Sequence, residues 1–249
     1  MLKHYGEEDG YTKFVDWEGN ALFRTNGAFY ATLTDESGLV MTGRDPGVGA
    51  SFADATIQKT DWQGNLLWKK ILPSMTEERG ESMDISYLEG CFRTSDGCYL
   101  AVHEQHVKDY DHPDEYHDWR EYTELIKFSA DGEILWTKQP ETGRRFDDVV
   151  EYEGKYCVSY YSKPDVPGNI CYLWLDTDGN ELGTIIRSIN RQEIPGELYG
   201  RFLSKMQLEM IPSKDGVWQN IQFVNENLTS AGVSYIMGTQ QVLMRVPEL

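Results

Sequence analysis

The chain has 249 residues, with 41 acidic and 23 basic side chains and a formal net charge of −18. Nucleic-acid affinity comes mainly from Lys and Arg that displace counterions from phosphates, so this charge argues against a nucleic-acid partner. Hydrophobic residues make up 40% of the chain and aromatic residues 12%, which is typical of a globular protein. No apolar run approaches the ~18 residues of a membrane span. The chain also lacks a signal peptide; the compartment stays open, because a natural chain beginning further upstream would allow an extracytoplasmic parent.

A repeated hairpin pattern is the main feature of the sequence. Each copy holds an apolar run, an Asp or Ser, two residues, a Gly and a second apolar run, and the copies lie at 14–23, 59–68, 127–136 and 174–183. The Asp or Ser side chain caps a turn, and the Gly takes a positive φ, so each copy predicts a β-hairpin. Four positions after the Gly stand Phe23, Trp68, Trp136 and, as the exception, Gly183.

A second hairpin precedes each later copy, which predicts units of four antiparallel strands. In chain order these are an N-terminal hairpin at 11–25 and units at about 28–71, 86–139, 148–187 and 206–247. The last unit needs a turn at 238–241, although its sequence, Gly-Thr-Gln-Gln, departs from the pattern. Four strands about every 45 residues are typical of a β-propeller, in which Phe23, Trp68 and Trp136 would wedge between blades. We therefore expect an all-β protein, with residues 1–249 forming a single propeller domain.

The N-terminal hairpin has no first half before it, and three alternatives remain open. It forms a half-blade in a ring of about five, it closes the ring against the last blade, or the natural chain starts further upstream. We favour the first, which makes the array four full units plus one hairpin.

The repeat pattern, an apolar run followed by Asp-x-x-Gly-Asn-x-x-Trp as at 59–68, resembles the tryptophan-docking repeats of quinoprotein-type β-propellers and related bacterial propellers of unknown role. The resemblance covers about four-fifths of the chain and implies a scaffold. It implies no quinone cofactor, because the cofactor residues of quinone-dependent dehydrogenases match no position here and the Ala and Thr usual in their repeats are missing.

The second unit carries about 20 extra residues, expected as a loop at 103–121 between its second and third strands. Four of the five histidines of the chain lie there among seven carboxylates: His103, His106, His112 and His117. Imidazole and carboxylate groups bind zinc and similar metals, and His103 and His106 could share one ion from a turn. A divalent metal is thus one hypothesis for this loop, and a solvated acidic surface loop is the other. No other cofactor is predicted.

The same loop offers Tyr110, Tyr116 and Trp119 as stacking surfaces for a sugar or a peptide. Long insertions on a regular scaffold are often functional, which makes this loop the predicted ligand site.

Carboxylates before the first strand of a blade would line the channel of a propeller. Asp84, Asp147 and Asp148 are the candidates, and in a glycosidase such a pair would serve as acid and as base or nucleophile. An ion pair with Arg145 is the structural alternative for the last two.

Four cysteines form two suggestive pairs. Cys91 and Cys98 flank one turn, and Cys157 and Cys171 lie on neighbouring predicted strands. Disulfides would favour an extracytoplasmic setting, whereas buried free thiols acting as small apolar residues are the favoured interpretation.

These observations predict a non-enzymatic propeller module that binds a protein, peptide or glycan through the loops on one face. The alternative is a carbohydrate-active hydrolase that uses the channel carboxylates.

Overall fold

The computed structural model describes residues 2–6, 11–15, 18–26, 28–45, 52–72, 84–108, 119–140, 146–161, 169–188, 205–228 and 234–248. Within these ranges every regular element is a β-strand, and no helix is long and apolar enough to cross a membrane. The chain divides into two compact units, Met1–Gln139 and Pro140–Leu249.

The first unit holds three successive up-and-down antiparallel sheets. Sheet 1 contains β1 (Leu2–Gly6), β2 (Tyr11–Val15) and β3 (Ala21–Asn26). Sheet 2 contains β4 (Ala28–Asp35), β5 (Gly38–Asp45), β6 (Phe52–Thr60) and β7 (Leu66–Ile71). Sheet 3 contains β8 (Asp84–Arg93), β9 (Tyr99–Lys108), β10 (Trp119–Phe128) and β11 (Ile134–Lys138). A short parallel pairing between β6 and β8, at Phe52–Asp84 and Ala53–Ile85, joins sheets 2 and 3.

The second unit holds two more sheets of the same kind. Sheet 4 contains β12 (Phe146–Tyr152), β13 (Lys155–Tyr161), β14 (Asn169–Leu175) and β15 (Glu181–Ser188). Sheet 5 contains β16 (Lys205–Ser213), β17 (Gly216–Leu228) and β18 (Ser234–Arg245). The predicted all-β, propeller-like array of antiparallel sheets is confirmed, with four strands in sheets 2, 3 and 4 and three described strands in sheets 1 and 5.

Turn chemistry explains the recurring hairpins. In sheet 2, Asp61 Oδ1 accepts hydrogen bonds from the backbone N–H groups of Gln63 and Asn65 at 2.9 and 2.8 Å, and Gly64 has a φ of 89°. Asp176 accepts equivalent bonds in sheet 4, and Ser129 replaces the aspartate in sheet 3. These bonds lower the pKa of Asp61 and Asp176, chiefly through Asn65 and Asn180.

Aromatic side chains dock onto the glycine turn of the following sheet in the first unit. A Cβ atom on Gly64 would lie 2.5 Å from Phe23 Cγ, and one on Gly132 would lie 2.6 Å from Trp68 Cε3. Trp68 Nε1 also donates a hydrogen bond to the Ala130 carbonyl at 3.1 Å. The wedge role of Phe23 and Trp68 is therefore confirmed, and that of Trp136 stays a prediction.

Each pair of packed sheets shares an apolar core. Phe14, Phe29, Leu39 and Met41 fill the space between sheets 1 and 2, and a larger cluster around Ile57, Leu88 and Phe128 fills the next space. In the second unit, Tyr172 and Trp174 of sheet 4 pack in one cluster with Met210, Ile221 and Met244 of sheet 5. Because a single sheet cannot bury both faces, this stacking gives every described sheet its core.

Three local predictions are corrected. The N-terminal hairpin gains β1 and becomes a three-stranded sheet. The turn expected at 238–241 is wrong, because β18 runs continuously through these residues and pairs with β17 along its length. The loop expected at 103–121 is shorter than predicted. β9 continues to Lys108 and β10 begins at Trp119, so residues 103–108 and 119–121 are paired strand.

The cysteines are free thiols in the structure. Cys157 pairs with Trp174 and Cys171 pairs with Tyr160, so the two thiols leave opposite faces of sheet 4. Burial raises the pKa of Cys91 to about 12 and also raises the pKa of Cys157. Both are protonated apolar residues of the core.

Candidate functional site: the polar base of a long hairpin

The hairpin formed by β9 and β10 is the most distinctive element of the first unit. Its strands pair over ten positions, from Phe128 opposite Tyr99 to Trp119 opposite Lys108. Residues 109–118, which connect the two strands, lie outside the described residues. We call the part of the hairpin from the Tyr99–Phe128 pair to the His106–Glu121 pair its base. This part carries several buried polar side chains.

Three of these side chains form a hydrogen-bonded chain across β8, β9 and β10. Ser86 Oγ lies 2.6 Å from His103 Nε2, and His103 Nδ1 lies 2.9 Å from Glu124 Oε1. The strand register explains both contacts. Glu124 on β10 pairs directly with His103. On β8, Leu88 pairs directly with His103, and Ser86, two residues away on the same face, is the diagonal neighbour. One tautomer satisfies every group: Nδ1–H donates to the carboxylate, and Nε2 accepts from the hydroxyl.

The Ser86–His103–Glu124 chain is almost completely removed from solvent. His103 is 0% exposed and Ser86 is 4% exposed, while the Glu124 side chain is 12% exposed. A hydrogen bond in such a site is electrostatically stronger than in water, and an unpaired partner would be costly. The chain therefore fastens β8, β9 and β10 together at the middle of the β9–β10 pairing.

A second buried contact lies on the opposite face of the same strand. His106 Nε2 is 2.7 Å from Glu104 Oε1, and Glu104 is 1% exposed. Side chains alternate between the faces of a strand, so His103 and His106 diverge. This contact stays within β9, so the polar contacts that join strands lie on the His103 face.

The order serine–imidazole–carboxylate is also the arrangement of a nucleophilic relay. In such a relay the imidazole takes the hydroxyl proton, and the carboxylate orients the ring and stabilises its protonated form. The distances in the Ser86–His103–Glu124 chain meet this requirement. A reacting substrate would additionally need access to Ser86 Oγ.

The predicted metal ligands are separated by the structure. His103 and His106 lie on a strand, and the turn from which they were to share an ion is absent. His112 and His117 lie outside the described residues. Among the residues that the structure describes, no group of three or more His, Cys, Asp or Glu side chains is arranged for a metal ion. A metal in the 109–118 connection stays a prediction.

The predicted ligand-stacking residues frame the same connection. Trp119 begins β10 opposite Lys108, at the end of the hairpin next to the 109–118 connection. Tyr110 and Tyr116 lie outside the described residues. Their role in binding stays a prediction.

The predicted catalytic carboxylates occupy two first strands. Asp84 begins β8, and its backbone pairs with Val107 and Phe52. Asp147 and Asp148 lie near the start of β12. Asp148 Oδ1 accepts a hydrogen bond from Val149 N at 2.7 Å, and its Oδ2 accepts one from Met210 N at 2.5 Å. Asp148 therefore links β12 to β16, and the catalytic role of the three carboxylates stays a prediction.

Burial determines the protonation of Asp148. Loss of solvent raises its pKa to about 6, against the lowering effect of the hydrogen bonds from Met210 and Val149. This carboxyl group is only weakly acidic, and its geometry ties two sheets together.

Sequence reasoning missed two lysine–aspartate ion pairs, a buried pair in sheet 2 and a pair in sheet 3 whose aspartate side chain is 40% exposed. Asp35 Oδ2 accepts hydrogen bonds from Lys59 Nζ and from Tyr99 OH, both at 2.6 Å, and Lys127 Nζ donates to Asp96 Oδ2 at 2.6 Å. Burial opposes ionisation of Asp35 and Asp96, but the bonds from the lysines hold the pKa of both below the ordinary value. The only signal for them was a Lys two residues before the turn Asp or Ser, at Lys59 and Lys127.

Ser86 and Glu124 were also missed. A polar residue at a core-facing position of an otherwise apolar strand is the signal that could have revealed them. This signal can be recognised only once the strand register is known. In the sequence alone, Ser86 and Glu124 look like ordinary surface residues of an acidic protein.

The comparisons with known proteins yield structural similarity alone. No protein-family model and no curated protein sequence matches the chain. The subtype N11 neuraminidase-like protein of A/flat-faced bat/Peru is 11% identical, with a TM-score of 0.49, over 97% of this chain and 68% of that protein. A protein of unknown function from Bacteroides caccae is 10% identical, with a TM-score of 0.37, over 90% of this chain and 82% of that protein.

An exo-beta-1,3-galactanase from Clostridium thermocellum is 9% identical, with a TM-score of 0.33, over 95% of this chain and 62% of that enzyme. All three scores are too low to carry an argument about this chain. The fold assignment rests on its own strands and sheets.

Proposed function

We propose that this chain is a binding module that presents the β9–β10 hairpin to a protein, peptide or glycan. The observation that carries the proposal is the buried Ser86–His103–Glu124 chain at the base of the hairpin. A binding loop on a fixed support loses less conformational freedom on association, so a rigid base favours affinity.

The chemistry of the connection narrows the class of ligand. Residues 109–118 contain five carboxylates, two histidines and two tyrosines, and no Lys or Arg. Acidic groups interleaved with aromatic rings complement a cationic peptide segment, because the rings bind its alkyl and aromatic parts and the carboxylates bind its charges. A basic peptide is therefore the first ligand to test, with glycans as the second.

The binding proposal is tested by replacing the two tyrosines of the connection. We expect the double variant Tyr110→Ala and Tyr116→Ala to lose about tenfold or more of its affinity for a basic peptide selected from an array, since buried aromatic contacts dominate binding energy. Binding is measured by calorimetry at two salt concentrations, and higher salt should weaken it.

The matched control is Trp62→Ala, which removes an aromatic ring that is 46% exposed in a turn of sheet 2, away from the hairpin. Affinity unchanged in the tyrosine variant, or reduced equally by the Trp62 control, would refute the assignment of the ligand to the hairpin. Binding to a glycan array and not to peptides would select the glycan class.

A second candidate function is hydrolysis through Ser86 as a nucleophile, which the relay distances favour. The test is covalent labelling by a fluorophosphonate probe, which reacts with activated serine hydroxyl groups. Labelling of the native chain that disappears in Ser86→Ala and persists in Ser95→Ala, an exposed turn serine, would establish the activity. Absence of labelling in the native chain would leave the Ser86–His103–Glu124 chain a purely structural fastening.

The docking of Trp68 on the Gly132 turn also supports a relationship to the tryptophan-docking repeats of quinoprotein-type propellers. We infer that relationship at the level of the repeat, as a scaffold without the quinone chemistry.

A further inference from the structure

Four buried polar side chains of the second unit have no hydrogen-bond partner in the part of the chain that the structure describes. The atoms are Ser159 Oγ, Tyr172 OH, Trp174 Nε1 and both amide atoms of Gln219. Ser159, Tyr172 and Gln219 are 0% exposed, and Trp174 is 2% exposed. A buried polar group without a partner is costly, and such groups are rare in native proteins. These four side chains hold five such atoms within one unit, which requires an explanation.

Three of the four side chains project from one face of sheet 4. Ser159 on β13 pairs directly with Tyr172 on β14, so both lie on the same face. Trp174 lies two residues further along β14 and therefore shares that face. Tyr172 and Trp174 both belong to the core cluster between sheets 4 and 5.

Gln219 projects from the facing side of sheet 5. It lies on β17, the middle strand of sheet 5, between Met210 on β16 and Met244 on β18. Both methionines belong to the cluster that contains Tyr172 and Trp174. An amide in this position is surrounded by apolar groups within its own sheet.

The hydrogen bond between Asp148 and Met210 sets the alignment of the two faces. Asp148 pairs with Ser159 in sheet 4, and Met210 pairs with Gln219 in sheet 5. The hydrogen bond from Met210 N to Asp148 Oδ2 joins the edge strands β12 and β16. Ser159 and Gln219 lie on the strands next to these edges, each directly beside one of the two bonded residues. The unpaired atoms therefore face a common space between the sheets.

We propose that this space is a binding site for a small neutral guest that both donates and accepts hydrogen bonds, either ordered water or a small hydroxyl compound. The indole N–H only donates, whereas the hydroxyl and amide groups do both, so the guest must accept as well as donate. Complete burial limits its size. Internal waters bind to groups of this kind, with about three hydrogen bonds each.

The surrounding charges favour a neutral guest over an ion. The Asp148 carboxyl borders the space beside Ser159 and would repel an anion. Arg187 on β15 lies opposite Ile170, and donates to the Arg245 carbonyl at 3.2 Å, so this cation is engaged beside the cluster. The indole N–H of Trp174 only donates hydrogen bonds and therefore offers no ligand to a cation.

A double-mutant cycle tests whether a guest connects the two sheets. Tyr172→Phe and Gln219→Met each remove polar atoms and keep the size of the side chain. If both side chains bind one guest, each variant raises the unfolding equilibrium constant about tenfold, and the double variant raises it by much less than the product. The measurement is urea unfolding of the full chain, followed by circular dichroism.

The control is Thr42→Val in sheet 2 of the first unit, where a buried hydroxyl likewise has no hydrogen-bond partner among the described residues. Removal of this isolated hydroxyl should leave stability unchanged or increase it. If Tyr172→Phe and Gln219→Met behave like this control and their effects simply add, the guest site is disproved.

Two further measurements identify the guest. A high-resolution crystal structure should show density within hydrogen-bond distance of Tyr172 OH and the Gln219 amide. Mass spectrometry of the denatured protein then distinguishes an organic hydroxyl compound, which is released, from water, which leaves no organic signal. A crystal structure in which these side chains bond only to protein groups would overturn the proposal.

Discussion

Two buried aspartates of this protein have opposite acid–base behaviour, although both accept hydrogen bonds. Asp35 receives bonds from the Lys59 ammonium group and the Tyr99 hydroxyl, which lower its pKa despite burial. Asp148 receives bonds from two neutral backbone N–H groups, and burial raises its pKa to about 6. The difference follows from the partner, because a positive charge offsets the loss of hydration more fully than neutral donors do.

The raised pKa of Asp148 predicts a specific pH dependence of stability. Its folded pKa of about 6 exceeds the ordinary value of 3.8, so its contribution is fully present below that ordinary value and is lost as the pH rises through about 6. By linkage the loss at neutral pH is about 3 kcal/mol. We expect Asp148→Asn to remove most of this dependence, as measured by urea unfolding at pH values on either side of 6.

The matched control for this prediction is Asp215→Asn, which changes an exposed carboxyl of the β16–β17 turn. It should keep the pH dependence of the native chain. The same slope in the native chain and in Asp148→Asn would show that folding does not raise the pKa of Asp148.

At the scale of the element, the hairpin turn serves two purposes. It reverses the chain, and it offers a flat glycine surface to the aromatic ring of the preceding sheet, as Gly64 does for Phe23 and Gly132 does for Trp68. The last sheet replaces this turn by the continuous strand β18, and the preceding sheet carries Gly183 at the aromatic position. The loss of the docking turn and the loss of the docking ring thus occur together.

The docking contact can be separated from backbone strain by two glycine substitutions. Gly132 and Gly97 have nearly equal φ values, 83° and 82°, but a Cβ atom would lie 2.6 Å from Trp68 at Gly132 and no closer than 3.8 Å to any atom at Gly97. Gly97→Ala should cost about 1 kcal/mol of unfolding free energy through strain alone. We expect Gly132→Ala to cost about 2 kcal/mol more, because the ring must move.

Thermal unfolding of the two variants measures this difference. The pair Gly64→Ala and Gly19→Ala repeats the comparison, since Phe23 contacts the first glycine and no atom lies within 4 Å of a Cβ at the second. Equal losses within each pair would mean that the aromatic ring contributes little to the packing of neighbouring sheets.

At the scale of the whole molecule, the net charge of −18 lowers the stability of the folded chain. Like charges on a compact surface repel one another, and salt screens that repulsion over about 10 Å. The buried pair of Asp35 and Lys59 is screened much less, because solvent ions cannot approach it.

We therefore expect the thermal midpoint to rise as sodium chloride increases from about 10 to 500 mM, by several degrees. Differential scanning calorimetry provides the measurement. Asp35→Asn should lower the midpoint at every salt concentration by a similar amount, and a midpoint that falls with salt in the native chain would contradict the role assigned to surface repulsion.

The local chemistry of the sequence determined the hairpins, the strand periodicity and the docking positions Phe23 and Trp68. An Asp or Ser followed three residues later by Gly closes a turn with its own hydrogen bonds, so no distant residue is needed to predict it. The same reasoning failed at 238–241, where neither the side-chain cap nor the required glycine position is present and pairing with β17 decides the conformation.

Only the tertiary structure decided which polar side chains meet. His103 reads in the sequence as one of four clustered histidines, yet strand register places it between Ser86 and Glu124, 17 and 21 residues away. Ser159 and Gln219, 60 residues apart along the chain, lie on the facing sides of sheets 4 and 5 only because those two sheets pack together. Contacts across strands and between sheets depend on register and packing, which local residue patterns do not encode.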